Sequence, residues 1–297
     1  METSIQDSNH SLEPSKKRKD GKQITSSSAE NSPSPASWGE IIPFLYSTLV
    51  GLACMYSYYN YRNMFFIVWV IYSLIPWIDY ITPIDHSNLP ENRVRIYEKD
   101  KRFLIPLYSF WILDFILFYW ILYDVYSGKI GTSNSSFLIM ALCIAQIGAI
   151  NAVVGHELFH KKPFVHKLFG TLVYVKMIYG HFFIQHVRSH HKNVATPQDP
   201  STARLGESLF YFFWRAIPEG YKEVWDYEQA RLKQQGCDKW WQILLFNRCI
   251  TINAGQLVYL SLIWGLMGTR TLVFHLLVSF IITLMLEAIN FIEHYGL

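Results

Sequence analysis

The sequence predicts an all-α integral membrane protein, a bundle of six transmembrane helices with a cytosolic histidine-rich cap. Of its 297 residues, 51% are hydrophobic and only 16% are charged, a balance unlike that of a typical soluble domain. The hydrophobic residues are concentrated in runs close to the ~20 residues that a helix needs to cross a bilayer. These runs are 41–59, 64–80, 103–123, 136–154, 251–267 and 271–289.

The chain begins with a polar segment, residues 1–37, that we expect to be a disordered cytosolic tail. Positions 15–37 hold almost no large apolar side chain, so this segment cannot bury enough surface to offset the entropy of ordering. No apolar run opens the chain, and we therefore expect no cleavable signal peptide. The basic cluster KKRK at 16–19 is typical of charges that orient a following membrane helix.

Basic residues also predict the orientation of the bundle. The connection between the second and third runs is rich in Lys and Arg, whereas the opposite connections carry only Arg62, Lys129 and Arg270. Because Lys and Arg favour cytosolic loops, we place the N-terminus in the cytosol, and six crossings return the C-terminus there. The predicted organisation is 38–154 for helices one to four, 155–250 for a cytosolic or interfacial segment, and 251–297 for helices five and six.

Two classes of protein are excluded by charge and cysteine usage. A net charge of +3 is too small to suggest nucleic-acid binding. The cysteines have no CxxC spacing, so we expect neither a zinc ribbon nor a disulfide framework but small buried side chains. They are Cys54, Cys143, Cys237 and Cys249.

Histidines cluster where the predicted topology meets the cytosol. His156 and His160 in HELFH are four residues apart, so a helix places both imidazoles on one face. His186 and His190 in HFFIQHVRSHH repeat that spacing, and His191 follows, rotated by about 100°. A further histidine, His294, lies beside a glutamate in NFIEHYGL near the end of the chain.

Six imidazoles at one membrane face indicate a metal centre. Imidazole binds zinc, iron, copper and nickel alike, so ligand type does not select the metal. A catalytic zinc ion takes three protein ligands and a water molecule. The surplus of histidines therefore favours two metal ions, and an oxygen-activating di-iron site fits best.

Three segments together resemble one enzyme family. HELFHK at 156–161, HFFIQHVRSHHKNVATPQDPSTARLGES at 181–208 and NFIEHYGL at 290–297 are similar to the membrane-bound non-haem di-iron alkane monooxygenases, the alkane 1-hydroxylases. The resemblance runs from about residue 151 to the end, with the expected helices upstream. More distantly, it extends to membrane fatty-acid desaturases and hydroxylases.

The resemblance implies both the chemistry and the ligands. It implies oxidation of the terminal carbon of an alkane or alkyl chain to a primary alcohol, with O2 and electrons from rubredoxin or another electron-transfer protein. The substrate would come from the surrounding membrane lipid, and the membrane would be the endoplasmic reticulum in a eukaryote or the inner membrane in a bacterium. The implied ligands of two iron ions are His156, His160, His186, His190, His191 and His294.

The sequence departs from this family in two respects. Gln185 stands where the family usually has Glu, and Ser189 stands where it has Gly. Family members also continue past the EHYGL segment to a further cluster of three histidines, whereas the sequence ends at Leu297. On the family pattern the site lacks three ligands, which leaves open two alternatives: a fragment or truncated gene model, or a truncated, non-catalytic membrane protein.

Other functions also remain open. A fatty-acyl desaturase or ω-hydroxylase would use the same boxes. An intramembrane zinc protease would use HELFH with Glu157 as general base, but it would leave four histidines without a role and would need an acid such as Asp114. In the preferred interpretation Glu157 and Glu293 instead hold ligand histidines in orientation.

The remaining polar residues have structural interpretations. Asp199 and Arg204 are expected either to pair or to mark a helix start after Pro200. His181 lies one and a half turns before His186 and is expected to be structural. His275 is expected to be interfacial, far from the boxes. The histidines expected to be solvated are His10, His86 and His166.

Overall fold

A computed structural model describes residues 34–84 and 86–296, and every regular element among them is a helix. The predicted tail falls almost entirely on residues 1–33, outside this range. The helices are α1 (Trp38–Tyr61), α2 (Phe66–Ile81), α3 (Glu91–Lys99), α4 (Lys101–Tyr126), α5 (Asn134–His160), α6 (Phe164–Lys176), α7 (182–193), α8 (Leu209–Gln234), α9 (Trp240–Phe246) and α10 (Arg248–His294).

Four of these helices, α1, α4, α5 and α10, are long and apolar enough to cross a membrane, and α2 is a shorter apolar helix. The protein is therefore a multi-pass integral membrane protein. All six predicted apolar runs lie in helices, apart from the first two residues of the second run, which precede α2. The count of long helices is lower because the last two runs both lie in α10 and the second run forms only the short α2.

Helix α10 reverses direction at Gly268. That residue has φ 78° and ψ 174°, outside the helical region. The rings of Tyr259 and His275 lie 5.3 Å apart, although sixteen residues of continuous helix would separate them by about 24 Å. The two arms, 248–267 and 269–294, are therefore antiparallel.

The reversal buries His275, contrary to the interfacial location expected from the sequence. Its side chain is fully buried, with ring contacts to Phe118 of α4 and Tyr259 of the first arm. Three of the four cysteines are buried as expected, and all four are free thiols.

Helix α6 packs against α5 through two glycines. A Cβ atom on Gly170 would lie 2.6 Å from the carbonyl oxygen of Gly155, so only glycine permits this approach. Further along the pair, the Tyr174 hydroxyl donates to the carbonyl oxygen of Ala152 over 3.0 Å. Since Tyr174 follows Gly170 whereas Ala152 precedes Gly155, the two helices run in opposite directions.

The C-terminal end of α6 is tied to the bundle by a buried charge. Lys176 forms an ion pair with Asp114 of α4, and both side chains are almost fully buried. Asn151 of α5 also donates to Asp114, and Phe115 lies beneath the ammonium group. Removing either charge alone would leave the other buried without a partner, a large cost in a protein interior.

Candidate metal centre

The first histidine motif, HELFH at 156–160, forms the end of a long helix. We call it the first box, and HFFIQHVRSHH at 181–191 the second box. α5 continues past Val154, where the sequence predicted a helix end, to His160. His156 and His160 therefore lie on one helical face, and their Nε2 atoms are 3.2 Å apart. The box is positioned by the same packing that holds α5 in the bundle.

The second box contains a π-helical turn. Residues His186–His190 have the π-helical hydrogen-bond pattern, in which the repeat is wider than in an α-helix. His186 and His191, five residues apart, consequently both turn towards α5. The α-helical spacing assumed from the sequence paired His186 with His190 and turned His191 away, and the wider turn is the reason for the difference.

The two boxes converge into one cluster, the four-histidine group. Nε2 of His156 lies 2.6 Å from Nε2 of His186, and the His160 and His191 rings are 4.9 Å apart. The group consists of His156, His160, His186 and His191, and one nitrogen of each lies within 4.8 Å of the others. Ligands on opposite sides of an ion with bonds of about 2.1 Å would be about 4.2 Å apart, slightly less than this spread, so small movements of the rings would bring the four nitrogens around one metal ion.

The electrostatics of the second box favour metal binding. Burial, reinforced by the neighbouring histidines, lowers the pKa of His186 to about 2. Burial likewise lowers the pKa of His191. Both imidazoles are therefore neutral near pH 7, which is the form that binds metal.

The other two predicted ligands form a pair beside this group, with the ring centroids of His186 and His190 5.2 Å apart. His190 and His294 have ring centroids 4.8 Å apart. Nδ1 of His190 lies 2.9 Å from a carboxylate oxygen of Asp199. A carboxylate on one ring nitrogen commonly orients a histidine whose other nitrogen binds a metal. Nε2 of His190 thus remains to bind a metal ion.

Asp199 is fixed by its own loop. It accepts hydrogen bonds from the Thr202 hydroxyl over 2.6 Å and from the Ser201 amide over 3.1 Å. Burial raises the pKa of Asp199, but hydrogen bonds from His190 and Thr202 lower it overall. The predicted pairing with Arg204 is wrong, and so is the helix start after Pro200, because α8 begins only at Leu209.

The buried Arg215 of α8 stabilises the same loop. Its guanidinium donates to the carbonyl oxygens of Pro200 and Thr202 and pairs with Glu207. Neither Asp199 nor Arg215 was assigned to the site from the sequence. The PQDPSTAR motif indicated that this loop matters. The contact between Asp199 and His190 depends on the fold and could not be read from the sequence.

Residues that differ from the family pattern also contact this loop or α8. The side chain of Gln185 donates to the Ser201 hydroxyl over 3.1 Å. Ser189 donates to the carboxylate of Glu223 on α8. Glu223 was not identified from the sequence. Its pKa is raised by burial, and its second oxygen is buried without a partner among the described residues.

The two glutamates proposed to orient ligands lie at the outside of the site. Glu157 and Glu293 are both exposed, and neither side chain has a hydrogen bond to a described histidine. Asp199 is the acid that occupies such a position. Glu293 instead borders a cavity beside the histidines.

The remaining histidines stand apart from both groups. His181 is buried against the rings of Tyr179 and Tyr221, in agreement with a structural role. His86 is exposed as expected, and His10 lies outside the described residues. His166 is half-buried, with Nδ1 2.5 Å from the Tyr108 hydroxyl, so the prediction that it is solvated is wrong.

Comparison with known proteins identifies the family. Residues 134–297 match the model of the fatty acid desaturase family. Alkane 1-monooxygenase 1 of Alcanivorax borkumensis is 33% identical over 231 residues, which are 78% of this chain and 55% of that protein. Alkane 1-monooxygenase of Pseudomonas putida is 33% identical over 234 residues, 77% of this chain and 56% of that protein.

A third relative, alkane 1-monooxygenase 2 of Alcanivorax borkumensis, is 31% identical over 271 residues, 88% of this chain and 67% of that protein. The resemblance seen in the three motif segments is thereby confirmed. The chain spans a little over half the length of the first two relatives.

Proposed function

The chain belongs to the fatty acid desaturase family, and we propose that it acts as an alkane 1-monooxygenase. The reaction converts RCH3, O2, two electrons and two protons into RCH2OH and water. The observation that carries this proposal is the four-histidine group, in which two boxes distant in sequence bring their nitrogens within 4.8 Å. All four members of that group are imidazoles, a ligand that iron accepts along with zinc, copper and nickel.

We propose two iron positions. His156, His160, His186 and His191 hold the first, and His190 and His294 contribute to the second, with Asp199 orienting His190. When bound, the iron supplies the activation of O2. The protein holds the ligands neutral and fixed, through helix packing on one side and through the Asp199 loop on the other.

The number of membrane crossings and the orientation of the chain are part of the same proposal. α1, α2, α4, α5 and the two arms of α10 would make six crossings, with both ends of the chain and all the histidines at the cytosolic face. A rubredoxin-type or other electron-transfer protein would deliver electrons there. The host membrane would be the endoplasmic reticulum or, in a bacterium, the inner membrane.

A fatty-acyl desaturase or ω-hydroxylase is the second candidate, supported by the family match over residues 134–297. The zinc protease is disfavoured. It would need Asp114 as a further acidic ligand, and Asp114 is paired with Lys176 in the bundle.

The test is a product assay. Membranes containing the iron-loaded chain are supplied with octane, ¹⁸O-labelled O2 and a reduced electron-transfer protein. We expect 1-octanol carrying ¹⁸O, and none from His186→Ala. An alkene product from an acyl substrate would support the desaturase, and an iron-loaded chain that forms neither product would indicate a non-catalytic membrane protein.

A further inference from the structure

A run of aromatic rings begins at the four-histidine group. The ring of Phe182 is stacked on that of His186, with centroids 5.2 Å apart and planes 21° apart. Phe182 is also stacked with Tyr179, at 5.7 Å and 23°. One tyrosine is therefore separated from a predicted metal ligand by a single ring.

The run continues from this tyrosine to the surface. The ring centroids of Tyr179 and His181 lie 4.6 Å apart, and those of His181 and Tyr221 lie 5.1 Å apart. All these separations fall within the roughly 4.5–7 Å of contacting aromatic rings. Tyr179 is 4% exposed, whereas Tyr221 of α8 is 37% exposed. Tyr179 is thus the inner tyrosine of the run, and Tyr221 is its outer end.

The hydroxyl of Tyr179 has a proton acceptor inside the protein. It donates to Oε1 of Glu287 over 2.8 Å, and Oε2 of Glu287 accepts from the side-chain amide of Asn290 over 3.3 Å. Both oxygens of this buried side chain therefore act as acceptors, as those of an ionised carboxylate do. Burial raises the pKa of Tyr179 well above its usual value, so the phenol keeps its proton near neutral pH.

These contacts meet the chemical requirement for oxidising a tyrosine. Removing an electron from a neutral phenol also releases its proton, so a base is needed within hydrogen-bond reach of the O–H. Tyr174 offers a contrast, because its ring is also stacked with Phe182, at 5.0 Å. Its hydroxyl donates to the backbone carbonyl oxygen of Ala152, which is not a base. Of these two tyrosines, only Tyr179 is equipped to lose an electron and a proton together.

We propose that Tyr179 and Tyr221 form a relay that carries an oxidising equivalent from the metal positions to the surface when no substrate is oxidised. Tyr179 gives one electron to iron that O2 has oxidised and gives its phenolic proton to Glu287, which leaves a neutral tyrosyl radical. Tyr221 then reduces this radical by one electron, the proton returns from Glu287, and Tyr221 loses its own proton to water. A thiol in solution restores Tyr221 by donating a hydrogen atom.

The relay would protect the histidines from oxidation. It rests on the proposed function only for a redox-active iron as the oxidant, and it does not require that an alkane be hydroxylated.

Electron paramagnetic resonance tests the relay by its radical rather than by a product. The iron-loaded full chain is reduced, exposed to O2 without octane and rapidly frozen, and ring-deuterated tyrosine identifies the signal as a tyrosyl radical. We expect at least a fivefold smaller signal in Tyr179→Phe, which keeps the stacked ring and removes the O–H group. Tyr174→Phe is the matched control and should retain the signal. Equal signals in Tyr179→Phe and the parent protein would overturn the proposal.

Two further variants test the proton acceptor and the outer end. Glu287→Gln keeps the shape of the side chain but cannot accept the proton, so the radical signal should again fall at least fivefold. Tyr221→Phe leaves the radical on Tyr179 without an exit, so its lifetime should increase at least threefold. If the buried Glu287→Gln variant does not fold, Tyr221→Phe at the half-exposed position still tests the path. An unchanged lifetime in Tyr221→Phe would contradict the exit through Tyr221.

The radical measurement and the product assay fail independently. A Tyr179 radical in a protein that makes no octanol would leave the relay intact and remove the proposed function. Octanol formation from octane, with no tyrosyl radical when octane is withheld, would do the reverse. Absence of both, in a chain whose iron has been oxidised by O2, would overturn both.

Discussion

The four-histidine group and the His190–His294 pair are held by different kinds of structure. The four-histidine group lies on α5 and α7. In the chain these two helices are connected through α6, and the close approach of Gly170 to Gly155 fixes α6 against α5. The described structure places no carboxylate among its ligand atoms. Its geometry therefore depends on helix packing.

The pair depends on hydrogen bonds from a loop. Asp199 holds His190, and the end of the second α10 arm is docked on the same loop. The Gly206 amide donates to the Tyr295 hydroxyl over 3.0 Å, and the Gly296 amide donates to the carbonyl oxygen of Ala203 over 3.2 Å. The difference teaches that the two groups are held by different contacts, although they share the turn that carries His186 and His190, whose ring centroids are 5.2 Å apart.

Removing a ligand should have the largest effect. His186→Ala deletes the central member of the four-histidine group and should lower product formation by more than the ~100-fold that losing an orienting partner can cost. Elemental analysis should show less iron per chain. His86→Ala, at an exposed histidine, should leave both quantities unchanged. Full iron content in His186→Ala would break the assignment.

Weakening the loop should affect only the pair. Asp199→Asn keeps the shape but removes the charge that orients His190, so we expect a ~10–100-fold loss of affinity for one of two irons. Titration with an iron chelator measures this. Asp226→Asn, at an exposed acid paired with Lys222, should titrate like the parent. A uniform loss of both irons in Asp199→Asn would argue against separate groups.

Disturbing the packing should affect the four-histidine group through stability. Gly170→Ala forces a Cβ against the backbone of Gly155, and overpacking typically costs about 1–3 kcal/mol. The melting temperature in detergent should fall. The matched control is Gly265→Ala, where a Cβ meets open space and helix propensity favours alanine by up to ~1 kcal/mol. Equal melting temperatures for both variants would contradict the packing account.

The last expected effect is a pH dependence to which a histidine outside both groups contributes. Burial lowers the pKa of His181 to about 4, whereas an unfolded histidine titrates near ~6.5. Between these values only the unfolded state binds the proton, so stability should fall as the pH decreases from about 6.5 to about 4. His181→Gln should flatten the part of this decline that comes from position 181. An unchanged pH profile of the melting temperature would count against the buried, neutral His181.

The sequence predicted the features that depend on local pattern. Apolar runs located the helices, and the four-residue spacing of His156 and His160 placed them on one face because that segment is a regular α-helix. The motif segments also identified the family. These signals are read from neighbouring residues and need no knowledge of the fold.

The missed features depend on contacts between distant residues or on rare backbone geometry. Because of the π-helical turn at His186–His190, His191 and not His190 joins His186 in the four-histidine group. No pattern in the sequence predicted this turn. Gly268 lay between two predicted helices, but the contact that buries His275 follows only from their antiparallel packing. From the sequence, Asp199 was expected to pair with a nearby arginine. Its contact with His190 could not be predicted, because the path of the loop brings the two side chains together.

We propose that the histidines form two separately held metal positions, and Mössbauer spectroscopy of the ⁵⁷Fe-loaded full chain tests this proposal most directly. We predict two iron signals of about equal area, with one retained when His294→Ala removes a ligand of the pair. A single signal in the parent protein, or loss of both signals in His294→Ala, would contradict two independent positions.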